Sequence, residues 1–231
     1  MPPNFNRIAR LYRWLEYLTL GPALTRCRLH FLPQLLHTRR ALVLGDGDGR
    51  FLARLLARNP CLLADAVDLS PVMLHLLRER AQAATPTASL RLRTHATDAL
   101  TFGGTGPYDL VVTHFFLDCL TQPELDQLAT RLLPHLAPEA RWLVSDFCIP
   151  TGLLCLPARA LVRLLYLAFR LLTGLRVTHL PDHGAALGRA GLHLTARHLS
   201  LFGILTAETW QRHHPAQPAI QQTSTASKEL Q

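Results

Sequence analysis

Five short apolar runs recur along this chain, and helical spacing separates them. The runs are ALVLG (41–45), LLADAVDL (62–69), SLRLRTHA (89–96), DLVVTHF (109–115) and RWLVSDF (141–147). Between them stand FLARLLARN, closed by Asn59-Pro60, a helix opened by Ser70-Pro71 and running to about Ala84, and a helical stretch from Thr121 to His135. A serine before a proline suits an N-cap followed by the first helical position. Each link is long enough for a crossover, so the alternation calls for a mainly parallel, doubly wound α/β sheet with helices on both faces. After a helix over DHGAALGRAG, two last β-rich runs, LHLTARHLS and FGILTAETW, meet through Leu201-Phe202-Gly203. A tight link of that kind pairs strands antiparallel at a sheet edge.

A chain of 231 residues, 48% hydrophobic, suits one α/β domain with a substantial core. We place that domain over 1–210, with N-terminal cap helices in 1–36, an inserted apolar helix in 151–175 and a polar, disordered tail in 211–231. The formal charge of +8 is carried almost wholly by arginine, and Lys228, in the tail, is the only lysine. That removes a catalytic-lysine mechanism. No basic run interleaves with aromatics, so a nucleic-acid groove is not expected. A diffuse basic surface leaves contact with anionic lipid open. Cys27, Cys61, Cys119, Cys148 and Cys155 are odd in number and form no CxxC pair. This argues for free thiols in the cytoplasm, with neither a disulfide framework nor a metal site. No secretory signal is read at the N-terminus. Residues 5–20, FNRIARLYRWLEYLTL, have the spacing of an amphipathic helix, and another follows from Gly21-Pro22 to about Gln34. In 153–174, Pro157, Arg159, Arg163 and Arg170 interrupt the apolar run, so it reads as amphipathic and not as a membrane span.

The first apolar run ends in G-D-G-D-G, with Gly45, Gly47 and Gly49. Glycines at a strand-to-helix turn let the backbone approach a ligand, and open α/β sheets bind ligands at that edge. The dinucleotide fingerprint would put its third glycine where Arg50 stands. Asp46 and Asp48 also oppose a pyrophosphate. Like charges about 4 Å apart cost about 4 kcal/mol at an effective dielectric of about 20. The loop therefore suits a cationic nucleoside, and S-adenosylmethionine, with its sulfonium and ammonium and no phosphate, fits. Simpler duties for the two acids are a helix cap for Asp48 and plain solvent exposure for Asp46. Asp68 ends the second run, where an acid can take both ribose hydroxyls. Asp65 falls before the strand end. Asp98, after the third run, can accept a bond from an adenine amino group, or be an ordinary turn aspartate.

Read in order, VLGDGDGRF, AVDLSPVML, THATDAL, YDLVVTHFFLDCL and RWLVSDF resemble the class I S-adenosylmethionine-dependent methyltransferases over roughly residues 40–150. FNRIARLY is similar to the FDxIAxxYD opening of the ubiquinone and menaquinone biosynthesis methyltransferases, with Asn6 and Arg13 in place of its two acids. The resemblance implies a Rossmann-like, seven-stranded sheet of order 3-2-1-4-5-7-6 with an antiparallel last strand, which the two terminal runs suit. It implies a cofactor site of Gly45, Asp46, Gly47, Asp48, Gly49, Asp68, Leu69, Met73, Asp98, Ala99 and Thr113, with Tyr12 closing over it. Val43 stands where many members carry an acid that supports the loop from beneath.

Methyl transfer from a sulfonium is an in-line displacement, so alignment and exclusion of water dominate. A base is needed only when the acceptor must lose a proton. His114 and Asp118 are the candidates for that work, with Tyr12 beside them; packing under a helix and capping are their simpler duties. Phe115 and Phe116 suit packing, and Asp146 and the H-x-x-D-H set of His179, Asp182 and His183 are lesser candidates. The leucines, Tyr166 and Phe169 of the inserted helix suit a small, apolar or amphipathic acceptor, and the same residues suit a plain packing helix. THFF replaces the NPPY-like tetrad of DNA amino-group methylation. Two rival functions are an NAD(P)-dependent oxidoreductase and a cofactor-binding scaffold without turnover. Oligomeric state is not legible.

Overall fold

Arg40–Leu44 (β1) is short, and its last four residues are all buried. A strand buried on both faces belongs at the centre of a parallel sheet, and β1 pairs in parallel with β2 (Leu63–Asp68) on one side and β4 (Tyr108–His114) on the other. In the computed structural model, residues 21–152, 155–173, 177 and 179–212 are described, and of 165–173 the backbone alone. Tyr12, the helix expected over 5–20, the side chains of Tyr166, Phe169 and Arg170, and the tail from residue 213 lie outside the described residues.

The sheet has seven strands in the order β3-β2-β1-β4-β5-β7-β6, where β3 is Leu92–Ala96, β5 Leu136–Phe147, β6 Leu192–Ser200 and β7 Leu205–Arg212. Only β7 runs against its neighbours, pairing antiparallel with both β5 and β6. Among the described residues, six helices of seven residues or more flank the sheet: α1 (Gly21–Leu29), α2 (Arg50–Arg58), α3 (Pro71–Ala84), α4 (Gln122–Leu132), α5 (Cys155–Thr173) and α6 (His183–Arg189). One face of the sheet packs Ala41, Val43, Leu110 and Val112 against α1, α2 and α3. The other packs Leu42, Leu44, Val111, Trp142 and Trp210 against α4 and α6. Alternate residues of β1 thus feed two cores, as the two-residue period of a strand requires.

The expected helix starts hold where side-chain chemistry marks them. Ser70 Oγ accepts the Met73 amide at the head of α3, and Thr121 with Glu124 forms a capping box on α4. Strand limits shift. Residues Ala88–Arg91 make a single helical turn after Thr87, so β3 begins at Leu92, three residues after Ser89. β5 begins at Leu136, five residues before Arg141, because Leu136 pairs with Tyr108 ahead of an irregularity in β4. The last strand runs to Arg212, two residues past the expected boundary.

Candidate functional site

Strand order reverses direction between β1 and β4, and the crevice beyond their C-terminal ends is where open α/β sheets take ligands. The glycine loop leaves β1 there. Gly45, Gly47 and Gly49 all hold positive φ, at 66°, 58° and 79°. A Cβ built on Gly47 meets no described atom within 4 Å, so this glycine faces open space. The Cβ of Gly45 would lie 2.5 Å from Phe116 Cδ2, and that of Gly49 2.9 Å from the backbone of Leu77 in α3. The loop is pressed between the segment after β4 and α3, with Gly47 at its open crest.

The two loop carboxylates have opposite fates, and the bond to the first turn of α2 expected of Asp48 is made by Asp46, for which solvent exposure was expected. Asp46 turns inward: its Oδ2 accepts the Leu52 amide at 3.0 Å, so this acid secures the first turn of α2. Its Oδ1 is buried with no hydrogen-bond partner. Burial pushes its pKa up to about 7, against the pull of the Leu52 amide and Arg28. Asp48 does not cap. The N-cap of α2 is Gly49, and Asp48 accepts from Arg50 Nε at 3.1 Å and Arg80 Nη2 at 2.8 Å. Its charge is balanced inside the protein by Arg50 and Arg80, which corrects the expectation that Asp48 repels a phosphate.

Asp68 sits at the end of β2, and its Oδ1 accepts the Ser70 amide at 2.8 Å. Burial raises its pKa to about 6. Leu69 beside it is exposed and Met73 is buried at the head of α3. Asp98 forms a turn in which Oδ1 accepts the Leu100 amide at 2.9 Å, with Ala99 buried between. Asp65, set aside on sequence grounds, is enclosed under the sheet edge and bonded to His95, Thr105 and Tyr108. Thr113 departs from expectation. Its hydroxyl is fully buried, accepts from Trp142 Nε1 at 3.0 Å and donates to the Leu143 carbonyl. The reason is strand parity: residue 113 faces the core with Val111, and its side chain is spent on Trp142.

His114 is 2% exposed and stacks edge-on to Phe51, with ring centroids 4.5 Å apart. Neither ring nitrogen has a partner. Burial, then Arg28, holds its pKa well below the ordinary value. It is a neutral imidazole and a weak proton acceptor, which removes the neutral-pH base expected of it. Asp118 is also buried, and its amide donates to Asp146 Oδ2 at 3.1 Å. Burial raises both carboxyls, Asp118 to about 6 and Asp146 further, with the Asp118 charge adding to the latter. Cys119 Sγ donates to Asp118 Oδ1 at 3.5 Å. Each of these buried carboxyls holds a proton more tightly than an exposed one does. Asp146 therefore matters more than its sequence context suggested.

Of the H-x-x-D-H set, Asp182 caps α6 by accepting the Ala185 amide, and His183 bonds Glu208 at 3.1 Å. Glu208 also accepts from Arg197, Thr206 and Trp210. Burial alone would raise its pKa; His183, Trp210 and Arg197 overturn this and hold it near about 2. Among the described residues no group of three or more His, Cys, Asp or Glu side chains is placed to hold a metal.

Residues 42–142 match the family model described as a methyltransferase domain. Among curated protein sequences none matches the chain. Solved structures share the fold. An O-methyltransferase family protein from Burkholderia thailandensis aligns at a TM-score of 0.65 and 19% identity, over 89% of this chain and 57% of its own. Mitomycin 7-O-methyltransferase MmcR aligns at 0.67 and 18%, over 91% and 61%. The chain thus spans about three-fifths of the length of these two proteins. The N-methyltransferase NodS from Bradyrhizobium japonicum WM9 aligns at 0.59 and 15%, over 84% of this chain and 99% of its own. NodS has also been crystallised with S-adenosyl-L-homocysteine.

Proposed function

We propose that this chain, whose residues 42–142 match a methyltransferase-domain model, is a class I enzyme that methylates a small molecule at the expense of S-adenosylmethionine. The observation that carries the reading is Asp46: a half-buried acid beside the open crest of the glycine loop, with one enclosed carboxyl oxygen left without a partner. An oxygen in that state fits an ammonium donor and opposes a phosphate. The residues present therefore fit this cofactor. Gly45, Gly47, Gly49 and Asp46 hold the methionine part, Asp68 the ribose hydroxyls, and Asp98 with Ala99 the adenine, with Leu69 and Met73 flanking it. The bound cofactor supplies an electrophilic methyl group on a good leaving group.

What the chain adds is alignment, exclusion of water and, for an acceptor hydroxyl, a place for the proton. The pair Asp118 and Asp146 serves that last purpose better than His114. A carboxyl raised to about 6 is mostly ionised at neutrality yet binds a proton more tightly than an ordinary carboxylate, whereas a buried neutral imidazole holds a proton poorly. Tyr12 would close the site from the N-terminal segment. The acceptor is small and apolar or amphipathic. The leucine content of α5 supports this, and its exposed arginines suit an acidic headgroup or an anionic membrane surface. No described helix is long and apolar enough to cross a membrane.

The test is calorimetric titration with S-adenosylmethionine and, separately, NADH. Binding of the first and silence with the second is expected. Asp68→Ala should weaken the first by about tenfold or more, since bonds to a charged acceptor contribute roughly 1.5–3 kcal/mol. Binding of NADH alone would overturn the reading. A cofactor-binding scaffold would bind equally well yet transfer no label from methyl-labelled cofactor to any small molecule of a cell extract.

A further inference from the structure

β2 carries an acid where its neighbours on the same face are apolar. Asp65 shares a face with Val67, lies in register with Leu42 of β1, and is 3% exposed. A carboxylate so placed is costly unless its lone pairs are used. Here they are. Oδ1 accepts from His95 Nε2 of β3 at 2.8 Å, and Oδ2 accepts from Thr105 Oγ1 at 2.9 Å and from the Tyr108 hydroxyl at 3.0 Å. The donors are bonded in turn. The Tyr108 oxygen accepts the Thr105 amide at 3.0 Å, and Thr105 Oγ1 accepts Arg40 Nη2 at 2.8 Å. Burial alone would raise the Asp65 pKa, but the bonds from His95, Thr105 and Tyr108 bring it below its usual value. The acid is ionised at neutrality and only accepts, so His95 carries a proton on Nε2. A polar network with every member satisfied fixes a single arrangement.

That arrangement reaches the ligand edge of the sheet by direct contacts. The His95 ring lies 4.8 Å from the Phe102 ring, centre to centre. The Phe102 amide donates to the Asp98 carbonyl at 2.9 Å and closes the turn that begins there. Arg131 of α4 grips the turn from the other side, donating to the Leu100 and Thr101 carbonyls at 2.8 and 2.7 Å. With Asp98 Oδ1 engaged by the Leu100 amide, Oδ2 is the oxygen that a purine amino group would meet. Such a bond weakens steeply with distance and angle, so the turn must keep its place.

We infer that Asp65 is a positioning residue: acting through His95 and Phe102, it sets the Asp98 turn and with it the choice of a 6-amino over a 6-oxo purine. The inference rests on the reading above, which gives the adenine to Asp98, and adds to it a residue that touches no ligand.

Two ligands test it. S-adenosylhomocysteine and S-inosylhomocysteine differ at the purine 6-position, amino in the first and oxo in the second. In titrations of the full chain, wild type should prefer the first by about tenfold or more, since the second sets an oxygen against the Asp98 carboxylate. Asp65→Asn puts a donor where only acceptors fit, and should shrink that preference to about threefold or less, half of the bond's contribution. His95→Gln keeps a donor for Asp65 but removes the ring from Phe102, and should shrink the preference likewise. Should Asp65→Asn not fold, His95→Gln decides by the same criterion. A merely structural role would lower the unfolding midpoint and weaken both ligands alike; a preference that both variants leave unchanged would overturn the inference. Equal affinity of wild type for the two ligands would take the adenine away from Asp98 and overturn the inference, while leaving the methyltransferase reading intact. A wild-type chain that binds neither ligand would overturn both.

Discussion

Burial of the Asp46 carboxyl costs the folded protein stability once that acid must ionise. An aspartate in the unfolded chain titrates near about 3.9, whereas the folded chain holds this one at about 7. Between those values the folded state binds the extra proton, so stability falls as pH rises from about 4 to about 7. Asp68, raised to about 6, adds to the fall over a narrower window. A cationic ligand reverses the sign, because it needs Asp46 ionised. Its affinity should therefore climb as pH passes through about 7. Thermal unfolding across pH 5–8, with and without S-adenosylmethionine, checks both trends. Asp46→Asn should flatten the slope of the free protein, raise its unfolding midpoint at pH 8 and weaken the ligand. Because His114, held neutral, adds a rise of its own below about 6.5, the comparison decides: a wild-type slope that Asp46→Asn leaves unchanged would place the acid outside the enclosed loop. Two acids in the loop were legible in the residue pattern, but not which one turns inward. Asp48 is neutralised by Arg80, thirty-two residues away, and no local spacing announces such a partner.

At the scale of elements, the three loop glycines share a left-handed backbone but divide the labour, and substitution should separate them. Gly49→Ala forces a Cβ to 2.9 Å from the Cα of Leu77, where α2 and α3 meet. Backbone cannot swing aside as a side-chain tip can. A loss of about 2–4 kcal/mol in unfolding free energy is expected from strain plus overpacking. Gly47→Ala meets no described atom and should lose only about 1–2 kcal/mol, the cost of a left-handed alanine. Yet its methyl group occupies the crest, so cofactor binding should suffer more than stability does. Urea unfolding and titration of the two variants together give the contrast. The elements themselves were legible where capping residues or strand alternation mark them, as at Ser70-Pro71 and across the 41–45 run. They were illegible where long-range pairing decides. β5 begins at Leu136 because Tyr108 waits opposite, and the Thr113 hydroxyl is consumed by Trp142, twenty-nine residues on. The seat of Arg28 over the Phe115 ring was illegible for the same reason, since helical periodicity says nothing of which strand end a helix will be pinned to.

At the scale of the whole molecule, the strand order was implied by family likeness and not by any residue pattern, since local alternation leaves the order of neighbours open. What local alternation did reveal is the two-sidedness of α5. Ala158 and Val162, four apart, are buried, while Leu156, Arg159, Arg163 and Leu164 face outward. Leu156 and Leu164 are 75% and 63% exposed, side by side with two cations on a chain of net charge +8. That combination suits the interface of an anionic bilayer, where leucine enters the acyl boundary and arginine meets headgroups. The protein should sediment with phosphatidylserine-rich vesicles and not with pure phosphatidylcholine, and salt should release it, since surface attraction is screened beyond about 8 Å at physiological ionic strength. Each basic residue near such a surface contributes about 1 kcal/mol, so Arg159→Glu with Arg163→Glu should lower the bound fraction by about tenfold or more. Leu164→Ser should lower it too, but leave the salt dependence unchanged, because it removes insertion and not charge. Wild-type protein that stays in the supernatant with both vesicle types would assign this face instead to covering the acceptor pocket.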